Sequence, residues 1–180
     1  KLLIAQISLL FVYLFYLSIP TLYDKTWLQN TIENKLIHDF KIDFSASSDI
    51  SYYILPAPHF LIKDTKILRD DDGKKKTISE IKKLKIFVSQ KNFFNKEKIY
   101  IKKILIDNAN FLLQKTDIKF LDEISNTKFP DKKIKIIDSK IFFKDSSNEI
   151  ITIIKLSKAL LFHDDVKLLN LFDLDGEVFK

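Results

Sequence analysis

The chain of 180 residues has no cysteine, no methionine and only two glycines. Without cysteine there can be no disulfide bond, no thiolate ligand for zinc and no thiol nucleophile. This is compatible with an oxidising compartment. The two glycines, Gly73 and Gly176, are too few and too far apart to build a glycine-rich loop around a phosphate group. The absences therefore exclude cysteine-dependent chemistry and phosphate-binding loops.

Arginine is nearly absent too, because Arg69 is the single arginine in a chain with 30 basic residues and a formal net charge of +6. A positive charge can attract nucleic acid or an anionic membrane. Specific anion sites prefer the planar, bidentate guanidinium to lysine. A lysine-rich composition therefore indicates a bias of the genome. Basic and aromatic residues alternate as in a nucleic-acid site only at Lys91–Lys96, whose Phe-Phe pair is predicted to be a hydrophobic turn. We expect no nucleic-acid partner.

Titratable side chains do not form a recognisable catalytic or metal-binding pattern. The three histidines lie far apart and lack the spacing of metal ligands; they are His38, His59 and His163. The run Asp70–Gly73 lacks the alternating ligands and the distal glutamate of an EF-hand, so it is predicted to be a solvated hairpin tip. The sequence predicts no catalytic residue, no metal and no cofactor, and hence a protein that is not an enzyme.

A long hydrophobic run opens the chain. Residues 2–19 read LLIAQISLLFVYLFYLSI and carry no charge. At 1.5 Å per residue a helix of this length just crosses a hydrocarbon core of about 30 Å. Tyr13, Tyr16 and Tyr23 cluster toward one end, as expected at a membrane interface. Residues 1–22 are therefore predicted to be a transmembrane anchor.

Two alternatives to a retained anchor remain. A cleaved signal peptide would have a shorter apolar run and a small-residue cleavage site, which the segment around Ser18–Thr21 lacks. A buried core helix is the other alternative. If the tail that carries Lys1 stays in the cytoplasm, everything after Pro20 lies across the membrane.

The next segment has helical periodicity. Thr21-Leu22-Tyr23-Asp24 has the spacing of a capping box, with Asp as its acid. Apolar residues then recur at near-helical spacing; they are Trp27, Leu28, Ile32, Leu36 and Phe40. We predict an amphipathic helix over residues 23–40, packed on its own core in preference to lying in the membrane surface.

After Phe40 the apolar period changes to two, which predicts strands over residues 41–180. Pro56–Pro58 suits the flank of a strand, and Asp72-Gly73 and Ser146–Asn148 suit turns. One short helix is predicted at about Asp117–Ile124. The remainder is predicted to be a meandering antiparallel sheet.

One phrase occurs three times in this region, at residues 60–67, 104–111 and 134–141. Each copy reads apolar, any, Ile, any, Asp or Asn, small, Lys or Asn, apolar. Because the alternation slips by one, a straight strand would turn its apolar side chains to the opposite face. Extra residues at Lys102-Lys103 and Asp107-Asn108, as β-bulges, would restore one face and bend the strand. The short polar residues that occupy the bend are Asp64, Asn108 and Asp138.

The predicted fold is thus mainly β: a curved antiparallel sheet of repeated bulged strands forms an open apolar groove behind the two N-terminal helices. Such a face must be covered by helices, a second sheet or an apolar ligand, and a closed sandwich would look the same in sequence. The candidate groove residues are Ile104, Ile106, Phe111, Leu113, Ile134, Ile136, Ile141 and Phe143. A charge at Ile106 or Ile136 is expected to block lipid transfer while the protein stays folded.

Five features together resemble one family. They are the N-terminal anchor, the helix after it, Pro56-Ala57-Pro58-His59-Phe60 before a strand, the pattern I-x-I-x-x-I-x-I-x-x-A-x-F-x-L at Ile99–Leu113, and L-F-D-L-D-G-E-V-F-K at Leu171–Lys180. The chain resembles the N-terminal region of the AsmA family, envelope proteins of Gram-negative bacteria related to TamB and YhdP. It departs from them in being short, rich in lysine and poor in glycine.

The resemblance implies an inner-membrane anchor and a periplasmic body with a long groove for acyl chains. It implies phospholipid transport between the membranes or assembly of the outer membrane, with outer-membrane assembly proteins as further partners. We expect the chain to be the membrane-proximal part of a longer protein. The alternative is a tethered β-sandwich without lipid, which recruits proteins by strand addition at its edges.

Overall fold

A computed structural model describes residues 2–40, 43–45, 49–71, 74–91, 93–95, 99–117 and 127–179. Within them the chain forms two N-terminal helices followed by eight strands. The helices are α1 (Leu2–Ser18) and α2 (Lys25–Phe40), joined by a 3-10 turn at Ile19–Leu22. The strands are β1 (Asp43–Ser45), β2 (Ile50–Tyr53), β3 (His59–Asp71), β4 (Lys74–Val88), β5 (Ile101–Gln114), β6 (Lys133–Lys144), β7 (Ile150–Asp164) and β8 (Leu169–Phe179).

Helix α1 lies clear of the rest of the protein along most of its length. Residues 2–15 are exposed, and the contacts with the body come from Tyr13, which bonds to Gln90, and from the last turn. There the Tyr16 hydroxyl donates a hydrogen bond to the carbonyl of Gln90 at 2.5 Å, and the Tyr52 hydroxyl donates to the carbonyl of Leu17 at 2.8 Å. This exposure rules out the core helix. The segment Leu2–Leu22 is long and apolar enough to cross a membrane, as both an anchor and a signal sequence would be.

Helix α2 packs one face on the sheet. Asp24 caps its N-terminus, since Oδ1 accepts a hydrogen bond from the backbone N–H of Trp27 at 2.8 Å. The predicted capping box with Thr21 as its first residue is therefore wrong, because Thr21 lies in the preceding 3-10 turn and donates its hydroxyl to the carbonyl of Ser18. The predicted apolar stripe is confirmed; its buried members are Leu28, Ile32, Leu36 and Phe40.

The strands form one open sheet in the order β1-β3-β4-β5-β6-β7-β8, and β2 also pairs with β3. Every neighbouring pair is antiparallel except β5 and β6, which are parallel. The prediction of an antiparallel sheet is wrong at this pair. β5 ends and β6 begins at opposite ends of the sheet, as two parallel neighbours that are consecutive in the chain must.

The two ends of the sheet are named here by what they carry. The end beside α1 is called the anchor end, after the membrane anchor that the sequence predicts; it holds the last turn of α1 and residues 54–58, 89–91, 93–95 and 165–168. The far end holds the β3–β4 and β6–β7 hairpins. The predicted turn at Ser146–Asn148 is confirmed, with Asp145 Oδ1 accepting backbone N–H groups of the turn.

Some predictions fall outside the described residues. The tip Asp72-Gly73 does so, although Asp71 and Lys74 on either side of it are paired. Of the short helix predicted at Asp117–Ile124, only Asp117 is described, and it ends a 3-10 turn that begins at Lys115. Lys1 and Ile42 also lie outside.

A line of distorted residues crosses the sheet at the predicted bend. Asp64, Asn108 and Asp138 have φ of 50°, 58° and 48°, in the left-handed region. Asn and Asp tolerate this conformation better than most residues because their short side chains bond to the nearby backbone. The three residues that the repeated phrase places at the bend thus share one distorted backbone conformation.

The bulges follow the prediction in part. Phe87 pairs with Lys103 and Val88 with Ile101, so Lys102 is an extra residue on β5, as predicted. At Asn108 no strand gains a residue over its neighbour, because Ile81 pairs with Ala109 and Lys83 with Asp107, which leaves Lys82 opposite Asn108. From β3 to β7 adjacent strands shift together here, so their ladders resume in the same register beyond the bend. Between β7 and β8 the register changes, because Leu156 pairs with Gly176 and Lys158 with Asp175.

Candidate functional site: the apolar face of the sheet

The eight predicted groove residues lie next to one another in four pairs across β5 and β6. Because these strands are parallel, each residue of β5 lies beside the residue thirty positions later. The pairs are Ile104 with Ile134, Ile106 with Ile136, Phe111 with Ile141, and Leu113 with Phe143. Paired residues of neighbouring strands point to the same face. The sheet therefore brings all eight side chains into one two-strand strip.

That strip continues onto the neighbouring strands. Ile104 and Ile106 pair with Ile86 and Leu84 of β4, while Ile134 and Ile136 pair with Leu161 and Ala159 of β7. Leu161 and Ala159 in turn pair with Phe172 and Leu174 of β8. One continuous apolar face thus extends from the strands under α2 to the free edge of the sheet.

Cover over this face decreases from β4 to β8. Leu84 and Ile86 of β4 are fully buried in the core that contains the apolar stripe of α2. On β5 and β6 the predicted residues beyond Ile106 and Ile134 are half-buried; they are Phe111, Leu113, Ile136, Ile141 and Phe143. On β8 the exposed fraction reaches 58% for Phe172 and 65% for Val178. We name the half-buried and exposed part of this face, on β5–β8, the open face.

Three of the eight predicted residues belong to the closed core instead. Ile104, Ile106 and Ile134 are 0%, 2% and 7% exposed. A charge at Ile106 would be buried without a partner, which strongly destabilises a fold. The expectation that such a variant stays folded is therefore wrong for Ile106, whereas Ile136 is half-buried and remains a usable position.

A row of mostly small residues crosses the face at the bend. Thr65 pairs with Ile81, Ile81 with Ala109, Ser139 with Leu156, and Leu156 with Gly176. In this row the side chains that are at most 2% exposed are Thr65, Ile81, Ala109, Ser139 and Leu156. A Cβ added at Gly176 would lie 2.5 Å from the carbonyl oxygen of Lys155. Small side chains let the strands approach closely on this line.

The Ser139 hydroxyl fills a gap that the bend leaves between β5 and β6. Register partners are formed on either side of the bend but not by Asn108 and Ala109. Ser139 Oγ accepts a hydrogen bond from the backbone N–H of Ala109 at 3.0 Å and donates one to the carbonyl of Ile137 at 2.7 Å. The side chain thus replaces a missing ladder contact in a buried position.

A buried ionic cluster closes the far end of the sheet. The Arg69 guanidinium lies 2.7 Å from Asp117 Oδ1, and Lys76 Nζ lies 3.6 Å from Oδ2. The backbone N–H of Gln114 also donates to Oδ2, at 2.8 Å. Burial raises the pKa of Asp117, but these hydrogen bonds and cations outweigh burial and hold that pKa below its usual value.

Sequence reasoning missed this cluster because its members are far apart in the chain. The only available signal was the single arginine in a lysine-rich protein, since a buried carboxylate favours a planar, bidentate cation. The three strands β3, β4 and β5 supply Arg69, Lys76 and Gln114 at one end of the sheet. The cluster therefore ties these three strands to the 3-10 turn at Lys115–Asp117.

Among the described residues, His59 lies between two aromatic side chains. His59 stacks between the rings of Tyr53 and Phe87, with centroids 5.5 Å and 5.1 Å away. Among the described residues no group of three or more His, Asp or Glu side chains could hold a metal ion. A pocket of about 260 Å³ lies on the opposite face at the bend, among Asp64, Lys66, Glu80, Lys82 and Asn110. None of the eight predicted groove residues lines it.

Comparisons with known proteins do not identify a family. No protein-family model matches the chain, and no curated protein matches its sequence.

Proposed function

We propose that this chain is a membrane-anchored, non-enzymatic protein whose open face contacts the acyl chains of phospholipids. In this proposal α1 spans the inner membrane and the sheet lies in the periplasm. The protein takes part in phospholipid transport between the membranes or in assembly of the outer membrane, as the resemblance to the AsmA family implies. The observation that carries the proposal is the apolar strip of β5 and β6, which continues past the cover of α2.

The physical argument concerns the cost of leaving such a face in water. Burial of apolar surface contributes about 25 cal/mol per Å², so contiguous uncovered strands favour an apolar ligand or partner. Acyl chains can cover a face that is apolar along several strands and has few hydrogen-bonding groups. Helix α1, which is exposed and apolar, would keep the sheet beside a supply of such chains.

Two adjacent phenylalanines offer a matched test. Phe143 lies on the open face, paired with Leu113, whereas Phe142 is its neighbour on the opposite face of β6. Both are half-buried. The full chain would be purified from a bacterium with two membranes in a mild detergent, and bound phospholipid would be quantified by mass spectrometry together with transfer between vesicles.

We expect Phe143→Asp to lower both the bound phospholipid and the transfer rate, because it places a charge where acyl chains lie. Phe142→Asp makes the same chemical change and should leave both values near those of the original chain. Circular dichroism would confirm that both variants are folded. Equal lipid binding in the two folded variants would contradict the proposal.

A second function is favoured by the edge of the sheet. Among the described residues no strand pairs with the outer edge of β8, which extends from Leu169 to Phe179. An unpaired edge with apolar side chains can accept a strand from another protein. Such an interaction module would purify without lipid, and Phe143→Asp would leave its lipid content unchanged. Asp173→Pro, in the edge strand, would reduce binding of the partner protein.

A further inference from the structure

Four loop residues at the anchor end are large, apolar and exposed. Leu55 lies in the loop between β2 and β3, Phe94 in the loop between β4 and β5, and Val166 and Leu168 in the β7–β8 turn. Their exposed fractions are 80%, 79%, 94% and 79%. Single exposed apolar residues are ordinary. Here three separate loops at one end of the sheet present them, and we name these four residues the apolar tips.

Helix α1 lies directly beside one of the tips. The ring of Phe94 is 5.4 Å from the ring of Tyr16, in the last turn of α1. The Tyr13 hydroxyl donates a hydrogen bond to Gln90 Oε1 at 3.1 Å in the same loop. If α1 spans a membrane, tyrosines in its last turns lie at the interface. Phe94 then lies at the same depth.

The turns at the far end of the same sheet are polar. The β6–β7 turn consists of Asp145-Ser146-Ser147-Asn148-Glu149, and the sequence joining β3 to β4 is Asp70–Lys75, which reads DDDGKK. The β7–β8 turn at the anchor end reads DDVKLL from Asp164 to Leu169. Hairpins of one sheet therefore differ in polarity according to the end at which they lie.

The conformation of the β7–β8 turn does not account for its apolar residues. Leu168 has φ of 54°, where Gly, Asn or Asp is usual and a leucine is strained. Asp164 Oδ1 already orders the turn by accepting the backbone N–H groups of Val166 and Lys167. A leucine that is both strained and exposed gains nothing from the folded chain in water, so a contact outside the chain is needed to explain it.

We propose that the apolar tips insert into the headgroup region of the bilayer that α1 crosses, so that the sheet stands end-on against the membrane. Side chains of this kind lie about 5–10 Å into the headgroup and acyl boundary. Lys91 and Lys167, which are exposed next to the tips, reach lipid phosphates. This inference rests on the proposed anchor but not on acyl-chain binding. It places the anchor end of the open face at the bilayer surface.

The absence of cysteine makes a direct test simple. Single cysteines would be introduced into the full chain at Phe94, Val166 or Leu168 and labelled with an environment-sensitive fluorophore. Two further sites serve as references: Leu9 in the middle of α1, and Ser147 in the polar turn at the far end. Each labelled chain would be reconstituted into phosphatidylcholine–phosphatidylglycerol vesicles with and without lipids that carry a nitroxide near the headgroup.

We expect the labels at Phe94, Val166 and Leu168 to shift to shorter emission wavelength and lose fluorescence to the nitroxide lipids, while the label at Ser147 does neither. If a label at Val166 or Leu168 behaves like that at Ser147 while the label at Leu9 shifts to shorter emission wavelength, the inference is wrong and the anchor stands. If the label at Leu9 does not shift, both the anchor and the inference are wrong.

Discussion

Replacing Ser139 with alanine tests how the sheet passes its bend. The variant removes one oxygen that accepts from Ala109 at 3.0 Å and donates to Ile137 at 2.7 Å. Ser139 is 1% exposed, so water does not readily replace it. Leaving one buried backbone donor without a partner costs about 1–3 kcal/mol. A loss of about 2 kcal/mol lowers the melting temperature by roughly 4–8 °C for a chain of this size.

Thermal unfolding of the full chain in detergent, followed by far-ultraviolet circular dichroism, measures this change. Ser157→Ala is the matched control, because Ser157 lies opposite Asp138 on β7 but is exposed. Exposed substitutions of this kind change stability by no more than about 0.5 kcal/mol. If Ser139→Ala and Ser157→Ala melt at the same temperature, the hydroxyl does not replace a ladder contact and the account of the bend is refuted.

Three further predictions concern the far end and the edge of the sheet. Asp117→Asn should lower the free energy of unfolding at pH 7 by about 3 kcal/mol in urea titrations, because it removes the buried negative charge that lies 2.7 Å from the Arg69 guanidinium. Since the pKa of Asp117 is lowered in the folded state, its contribution is present above the ordinary aspartate pKa of about 3.9 and is lost as the pH falls through the folded value. Stability measured against pH should therefore decline on the acid side in the original chain and change less in Asp117→Asn; parallel curves would contradict this. Gly176→Ala should speed amide hydrogen exchange in β8, because its Cβ would clash with Lys155, whereas Asp175→Ala should not.

The helices could be predicted closely because each depends on local sequence. An uncharged run predicts α1, and the spacing of Leu28, Ile32 and Leu36 predicts which face of α2 is buried. The predicted start of α2, at residue 23, lies two residues before the observed start at Lys25. Capping depends on which side-chain oxygen reaches a free N–H group, and both Thr21 and Asp24 are chemically able to do so.

The cover of the apolar face could not be predicted, because alternation shows which face is apolar and not what lies over it. Ile106 and Ile136 have the same pattern in sequence and lie side by side on β5 and β6. The first lies in the core and the second on the open face, because β6 is one strand further from β4, whose core-facing residues are fully buried. Strand order and the distance from α2 decide this difference, and both depend on long-range pairing.

Strand order also explains why three copies of one phrase occur. Ile62 pairs with Leu84 and Leu84 with Ile106, while Ile106 lies beside Ile136. The three copies therefore run in the same direction, and their corresponding residues lie at matching positions along β3, β5 and β6. Their spacings of 44 and 30 residues equal the register offsets between β3 and β5 and between β5 and β6. A bend in one strand must be matched by its neighbours if the ladder is to continue, so each copy needs its short polar residue at the same height. Repetition of the phrase thus follows from the geometry of one bent sheet, whatever lies on its open face.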